Sequence, residues 1–135
     1  MIKAGVCIGA KKGFLSGQHN ATDRYMVALY TEKATLSPDT LAYTNEGEVV
    51  GGGYLKGGQA ITDWAVGVDG TAAKITFSEV FWKSATMTAR GALIYNDSQP
   101  GLPAVAVLDF GQNATSVNGP FTVALPDGES ILTLD

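Results

Sequence analysis

The chain has 135 residues, of which 45 % are apolar and 16 % charged, which is the size and composition of one packed domain rather than a disordered segment. Its single cysteine, Cys7, excludes an intramolecular disulfide and an all-cysteine zinc site. The net charge of −4 argues against duplex DNA as a partner, and no apolar run approaches the roughly 18 to 20 residues of a membrane span.

Residues 1–20 are predicted to form an N-terminal arm, with a short helix in the first fifteen residues that stops at Gly17. We expect no signal peptide, because the apolar stretch 4–10 contains two glycines and is followed at once by Lys11 and Lys12. Residues 1–33 hold five cations against two acids, whereas residues 96–135 hold five acids and no lysine or arginine. This asymmetry fits either a solvated acidic end or a basic segment that docks on an acidic surface.

The segments that follow the arm have the texture of an all-β protein, with short β-type runs separated by glycine and proline. Residues 24–30 are predicted to be a strand. In residues 36–43, Ser37 is a candidate N-cap with Pro38 in the first helical position, which predicts a single helical turn. Residues 45–58 contain six glycines and are predicted to be a long flexible loop that carries Tyr54 and Leu55.

The best-determined element is a hairpin around Asp69-Gly70, since Asp-Gly is favoured in two-residue type I′ turns. Closing this turn pairs Val68 with Thr71, Val66 with Ala73, Trp64 with Ile75 and Thr62 with Phe77. All eight side chains then share one face, which is large and apolar, while the opposite face is small and polar. We therefore expect the apolar face to be part of the core.

A second hairpin is predicted at residues 126–129, which sets Val123 against Leu132 and Phe121 against Leu134. Between the hairpins lie strands at 86–95, where Gly91 marks a possible bulge, and at 104–110. The total is seven or eight strands without a helical layer. Residues 1–135 are thus predicted to be one two-sheet β-sandwich domain, as a jelly roll or an immunoglobulin-like sandwich, and the jelly roll is favoured.

A search for catalytic groups finds none that converge. His19 is the single histidine and is predicted to be a loop residue. No residues have zinc-ligand or calcium-loop spacing, and the glycine cluster fails both phosphate-binding motifs. The triplet 109–111 spells Asp-Phe-Gly and is interpreted as a strand end followed by a turn. Nothing singles out Asp63 and Glu79 among the acids as a carboxylate pair, although glycoside hydrolysis, which needs only two carboxyl groups at a set separation, stays formally open. The sequence predicts no catalytic, cofactor-binding or metal-binding residue, and hence no enzyme.

The two tryptophans raise the alternative of a sugar-binding platform. Trp64 has a core position by its place in the hairpin. Phe81 and Trp82 are neighbours in a strand and must point to opposite faces, so one of them points away from the core.

Five stretches are similar to small structural proteins of tailed bacteriophages: Tyr-x-Val-Ala-Leu-Tyr-Thr (25–31), Ala-Thr-Leu-Ser-x-x-Thr-x-Ala-Tyr-Thr (34–44), Glu-Val-Val-Gly-Gly-Gly-Tyr (48–54), Thr-Ala-Arg-Gly-Ala-Leu-Ile-Tyr-Asn (88–96) and Ala-Val-Ala-Val-Leu-Asp-Phe-Gly (104–111). The likeness runs from about residue 10 to the end, and the family that the chain most resembles is the cementing (decoration) proteins of short-tailed phage heads. It implies a jelly roll, made in the host cytoplasm, that binds the capsid exterior, often as dimers on two-fold positions. The implied partners are the major capsid protein and a second copy of the chain, with neither nucleic acid nor membrane, and the resemblance supplies no catalytic residue.

The residues that we expect to contact the capsid come from the N-terminal segment, the glycine-rich loop and the aromatic pair. They are Ile2, Lys3, Lys11, Lys12, Phe14, Leu15, Tyr54, Leu55 and Trp82. If the N-terminal segment is detachable, deletion of residues 1–16 leaves a folded domain without capsid affinity. The alternative function is a carbohydrate- or receptor-binding β-sandwich of a phage tail or fibre, which needs an exposed aromatic side chain in a shallow groove.

Overall fold

The computed structural model describes residues 1–125 and 129–134. These residues form one helix and eight strands: β1 (Gly5–Val6), α1 (Ile8–Leu15), β2 (Tyr25–Tyr30), β3 (Gln59–Ala60), β4 (Ala65–Asp69), β5 (Ala72–Thr76), β6 (Glu79–Asn96), β7 (Ala104–Ala124) and β8 (Leu132–Leu134). The larger sheet has the order β1-β7-β6-β2-β3 and the smaller one β4-β5-β8, and all neighbouring strands in these two orders pair antiparallel. The predicted all-β class with two sheets is confirmed; a jelly-roll strand order is not.

Strands β6 and β7 have 18 and 21 residues and form a long hairpin within the larger sheet. The bulge predicted at Gly91 is confirmed, because the register shifts between Ala89 and Gly91. A Cβ at Gly91 would lie 2.6 Å from the Leu108 carbonyl oxygen, so only glycine fits there. The strand end predicted at residues 109–111 is wrong, because β7 continues through them. Gly111, inside β7, has a positive φ of 78°.

The N-terminal residues belong to the core. The helix ends as predicted, with Ser16 as C-cap and Gly17 at a φ of +81°. However, Cys7 is fully buried, and its backbone N–H donates to the Val105 carbonyl at 2.8 Å. Ile2 is 9 % exposed. The expectation of a detachable arm is therefore wrong, because this segment pairs with β7 and fills part of the core.

The glycine-rich segment 45–58 lies closely against two strands instead of forming a flexible loop. A Cβ at Gly58 would lie 1.8 Å from the Val27 carbonyl oxygen, and one at Gly53 would lie 2.1 Å from that of Ser84. Tyr54 is buried, and its hydroxyl accepts the Leu29 backbone N–H at 2.9 Å. The glycines thus permit close backbone approach, which is why the prediction of flexibility was wrong.

A buried carboxylate holds this segment in place. Glu48 is 5 % exposed and accepts hydrogen bonds from the hydroxyls of Tyr43 and Tyr54 and from the Gly57 backbone N–H at 2.8 Å. Three donors around one carboxylate compensate for its removal from water.

The turn at Ser37 is shorter than expected. The Thr40 backbone N–H donates to the Ser37 carbonyl at 2.9 Å, and the Asp39 N–H donates to Ser37 Oγ at 3.1 Å. These bonds close a β-turn over residues 37–40, and no helix follows it, so the predicted helical turn was wrong.

The hairpin of the smaller sheet exists, but its turn and register differ from the prediction. The two turn residues are Gly70 and Thr71, and Val66 pairs with Ile75 while Val68 pairs with Ala73. Gly70 has a φ of +64°, which suits the first central position of a type II′ turn. Because the register moved by two residues, an even number, the predicted apolar side chains still share one face.

The second predicted hairpin does not form. Val123 pairs with Val80 and Phe121 with Trp82 in the larger sheet, while β8 pairs with β5 in the smaller one. The turn predicted for this hairpin falls partly on residues 126–128, which lie outside the described residues. The helix of the described chain is too short to cross a membrane.

Candidate functional site

One face of the smaller sheet carries only aliphatic side chains. The pairing aligns them in two rows, Val66–Ile75–Leu132 and Val68–Ala73–Leu134. Side chains alternate along each strand, so these six residues point the same way. Val68 is 80 % exposed, Val66 58 % and Leu134 54 %. The face predicted to be core is therefore only partly covered.

The end of the helix and one tryptophan extend this face. Phe14 and Leu15 flank β8, and Trp64 stacks on Tyr25 with ring centroids 3.6 Å apart. Two adjoining hollows of about 200 and 300 Å³ share Phe14, Leu132 and Leu134. We call the whole area the apolar surface: Phe14, Leu15, Trp64, Val66, Val68, Ala73, Ile75, Leu132 and Leu134.

A hydrogen-bonded histidine lies at one wall of the smaller hollow. Asn96 Oδ1 accepts the Ser98 backbone N–H at 2.9 Å, and Asn96 Nδ2 donates to Asp23 Oδ2 at 2.9 Å, which orients the amide. The same Nδ2 lies 2.9 Å from His19 Nδ1, so Nδ1 accepts and the ring proton belongs on Nε2. That Nε2 is buried without a hydrogen-bond partner in the described chain, close to Gly13.

The burial of His19 favours its uncharged form. Its pKa lies below 6.5, chiefly because burial penalises the imidazolium, and the Asp23 carboxylate opposes this shift. The pKa of Asp23 is itself lowered, mainly by the hydrogen bond from the Asn96 side chain. A proton on His19 Nδ1 would face the Asn96 amide donor, so protonation disrupts the network.

The other titratable groups do not converge at the apolar surface. Burial raises the pKa of the Cys7 thiol to about 11, so it stays protonated and weakly nucleophilic at neutral pH. Asp63 and Glu79 do line one open cleft of about 460 Å³, together with Phe81. The Ser78 side chain and backbone N–H hold the pKa of Asp63 below its usual value. Residues 1–125 and 129–134 contain no group of three or more potential metal ligands.

The residues predicted to contact a partner are divided between core and surface. Ile2, Tyr54 and Trp82 are buried, with Trp82 only 1 % exposed, so their assignment to an interface is corrected. Trp82 packs near Tyr54 and Phe121 in the core, and Phe81, at 45 % exposure, is the member of the pair that points outward.

The remaining predicted residues are wholly or partly exposed, and three of them meet. Lys11, Phe14 and Leu15 line the larger hollow, whereas Lys3, Lys12 and Leu55 line neither hollow. The sequence reasoning missed the surface roles of Val66, Val68, Leu132 and Leu134. Their alternation was visible, but it marks an apolar face without showing whether anything covers it.

Fold and surface define an all-β chain of two antiparallel sheets with an incompletely covered apolar face. No family model, curated protein or solved structure matches it.

Proposed function

We propose that this chain is a non-enzymatic protein that binds other proteins through its apolar surface, and that it serves as a virion cementing protein on the outside of a phage capsid. The observation that carries the proposal is the exposure of Val66, Val68 and Leu134 on one face. Burying such a side chain contributes about 1.5 to 3 kcal/mol, which a docked partner would supply. The resemblance seen in the sequence, from about residue 10 to the end, implies the major capsid protein as that partner.

The role also suits the size of the chain. A stable protein contact buries about 800 Å² per partner, which a small domain can offer. A capsid presents many identical sites, so a chain that touches two subunits, or that binds as a homo-oligomer, gains avidity from effective concentration.

Co-sedimentation with purified empty heads of the phage that encodes the chain tests the proposal. We expect the unmodified chain to sediment with the heads and Val68→Asp to remain in the supernatant, because the new carboxylate would be buried on docking. Val50→Asp is the matched control, since Val50 is 85 % exposed and outside the apolar surface. Failure of the unmodified chain to sediment, or equal binding of the two variants, would contradict the proposal.

Carbohydrate binding is a second candidate function, favoured by one observation. Phe81 is an exposed aromatic side chain beside Asp63 and Glu79 in an open cleft, an arrangement that suits the apolar face and the hydroxyls of a sugar. Co-precipitation with host polysaccharide is expected for the unmodified chain but not for Phe81→Ala. Val117→Ala, at a 70 % exposed position, is the control. If both variants co-precipitate equally with the polysaccharide, the cleft is ruled out as the sugar-binding site.

A further inference from the structure

We infer that the apolar surface accepts an acidic, apolar segment of a partner protein, an inference that rests on the proposed binding function and names its chemistry. The first observation is the charge around the two hollows. Lys11 is the one charged residue that lines the larger hollow. Lys74 lines the smaller hollow, but it alternates with Ala73 and Ile75 in β5, so its ammonium group is directed to the opposite face of the sheet. No Asp or Glu among the described residues lines either hollow, although the chain has 13 acids and 9 Lys and Arg residues.

The two lysines differ in availability. Lys74 Nζ lies 3.1 Å from Asp69 Oδ2, so its charge is already paired. Lys11 is exposed and makes no salt bridge with the described part of the chain. Lys11 is therefore the cation that a partner carboxylate would meet beside Leu15.

The exposed side of α1 continues this pattern. Ile8 is 59 % exposed and Leu15 81 %, and they lie three residues before and four after Lys11, on one side of the helix. The helix contains no acidic residue. An exposed lysine between exposed aliphatic side chains is complementary to a segment in which a carboxylate lies between aliphatic side chains.

The size and shape of the site favour a protein segment over other ligands. Hollows of about 200 and 300 Å³ are at or below the lower limit for drug-sized molecules, so each suits a protruding side chain. An anionic bilayer offers a similar combination of charge and apolar groups. The two hollows are concave, whereas a bilayer offers a flat surface with no protruding side chain to fill them, so their shape disfavours a bilayer.

Fluorescence anisotropy with labelled probes tests the inference. The probes are a short peptide in which leucine alternates with glutamate, a peptide with lysine in place of glutamate, and vesicles of phosphatidylserine. We expect the glutamate peptide alone to bind, to shift the emission of Trp64 in the hollow, and to bind less tightly as salt is raised. Binding of the lysine peptide or of the vesicles at equal strength would overturn the inference.

Two charge-reversed variants locate the contact. Lys11→Glu is expected to weaken binding of the glutamate peptide about fivefold, the upper range for one exposed ion pair. Lys33→Glu changes the net charge equally at an exposed lysine outside the hollows and is expected to bind as the unmodified chain does. Equal weakening by both variants would show a general charge effect and overturn the assignment. If the chain sediments with the heads but binds neither peptide, this inference is refuted and the capsid role is not. If the chain binds the glutamate peptide but does not sediment with the heads, the capsid role is refuted and this inference is not.

Discussion

Strands β2 and β4 are both rich in aliphatic residues, yet they have opposite environments. All six residues of β2 are buried, because β2 lies between β6 and β3 and packs beneath the glycine-rich segment. All five residues of β4 are exposed, because β4 is an edge strand and no other element among the described residues covers its valines. Alternation therefore defines which side chains share a face, while burial depends on what the rest of the chain places over that face.

Deletion of residues 1–16 is expected to have the largest effect on the buried region. It removes β1, the helix and the fully buried side chains of Cys7 and Ala10. We expect loss of cooperative thermal unfolding, measured by circular dichroism. Leu15→Ala, at an 81 % exposed position, is the control and should melt as the unmodified chain does. A truncated chain with a sharp, unchanged transition would show that the N-terminal segment is dispensable after all.

Paired alanine substitutions sharpen the contrast between the two strands. Leu29→Ala in β2 should lower the free energy of unfolding by about 2 to 5 kcal/mol, because it leaves a cavity. Val68→Ala in β4 should change it by less than about 0.5 kcal/mol, because the side chain is 80 % exposed. Urea denaturation measures both values, and similar losses would mean that β4 is covered in solution.

The buried carboxylate provides a third test. Glu48→Gln should lower the free energy of unfolding by about 1.5 to 3 kcal/mol, since a neutral amide cannot accept all three hydrogen bonds as a carboxylate does. Glu46→Gln, at an exposed position, should be neutral. If the two variants unfold alike in urea, Glu48 does not hold the glycine-rich segment.

The smallest expected effect is a dependence on pH. The folded pKa of His19 lies below its unfolded value of 6.5, so the unfolded chain binds the proton more readily. The contribution of uncharged His19 to the free energy of unfolding is therefore fully present above pH 6.5, and it is lost as the pH falls toward the pKa that His19 has in the folded chain. Thermal melts between neutral pH and about pH 5 should show this loss, and His19→Gln should reduce it. An unchanged pH profile in that variant would assign the acid sensitivity to other groups.

The sequence predicted the all-β class, the helix that ends at Gly17, strand β2, the bulge at Gly91 and the grouping of apolar side chains on one face of β4 and β5. These features depend on local chemistry: turn residues, alternation and the absence of a Cβ. The pairing of β8 with β5 could not be read in the same way, because two short apolar strands near a turn are compatible with several partners.

The candidate site was predicted less well than the fold. Lys11, Phe14 and Leu15 were identified from charge and hydrophobicity, and they do line the hollow. Tyr54 was assigned to an interface because it lies in a segment predicted to be a flexible loop, and Trp82 because one member of the Phe81–Trp82 pair must point away from the core, yet both are buried. Which aromatic side chain faces outward depends on the strand partner, and that partner is separated by many residues in the chain.

The free edge of β4 has a practical consequence. Natural edge strands are usually protected by lysine, proline or a bulge, and this strand contains Asp69 as its single charge and has an unbroken register with β5. Unpaired backbone groups next to exposed valines can recruit the same strand from another molecule. Concentrated solutions of the purified protein should therefore form oligomers that a lysine in place of Gly67, at the centre of the strand, would disperse.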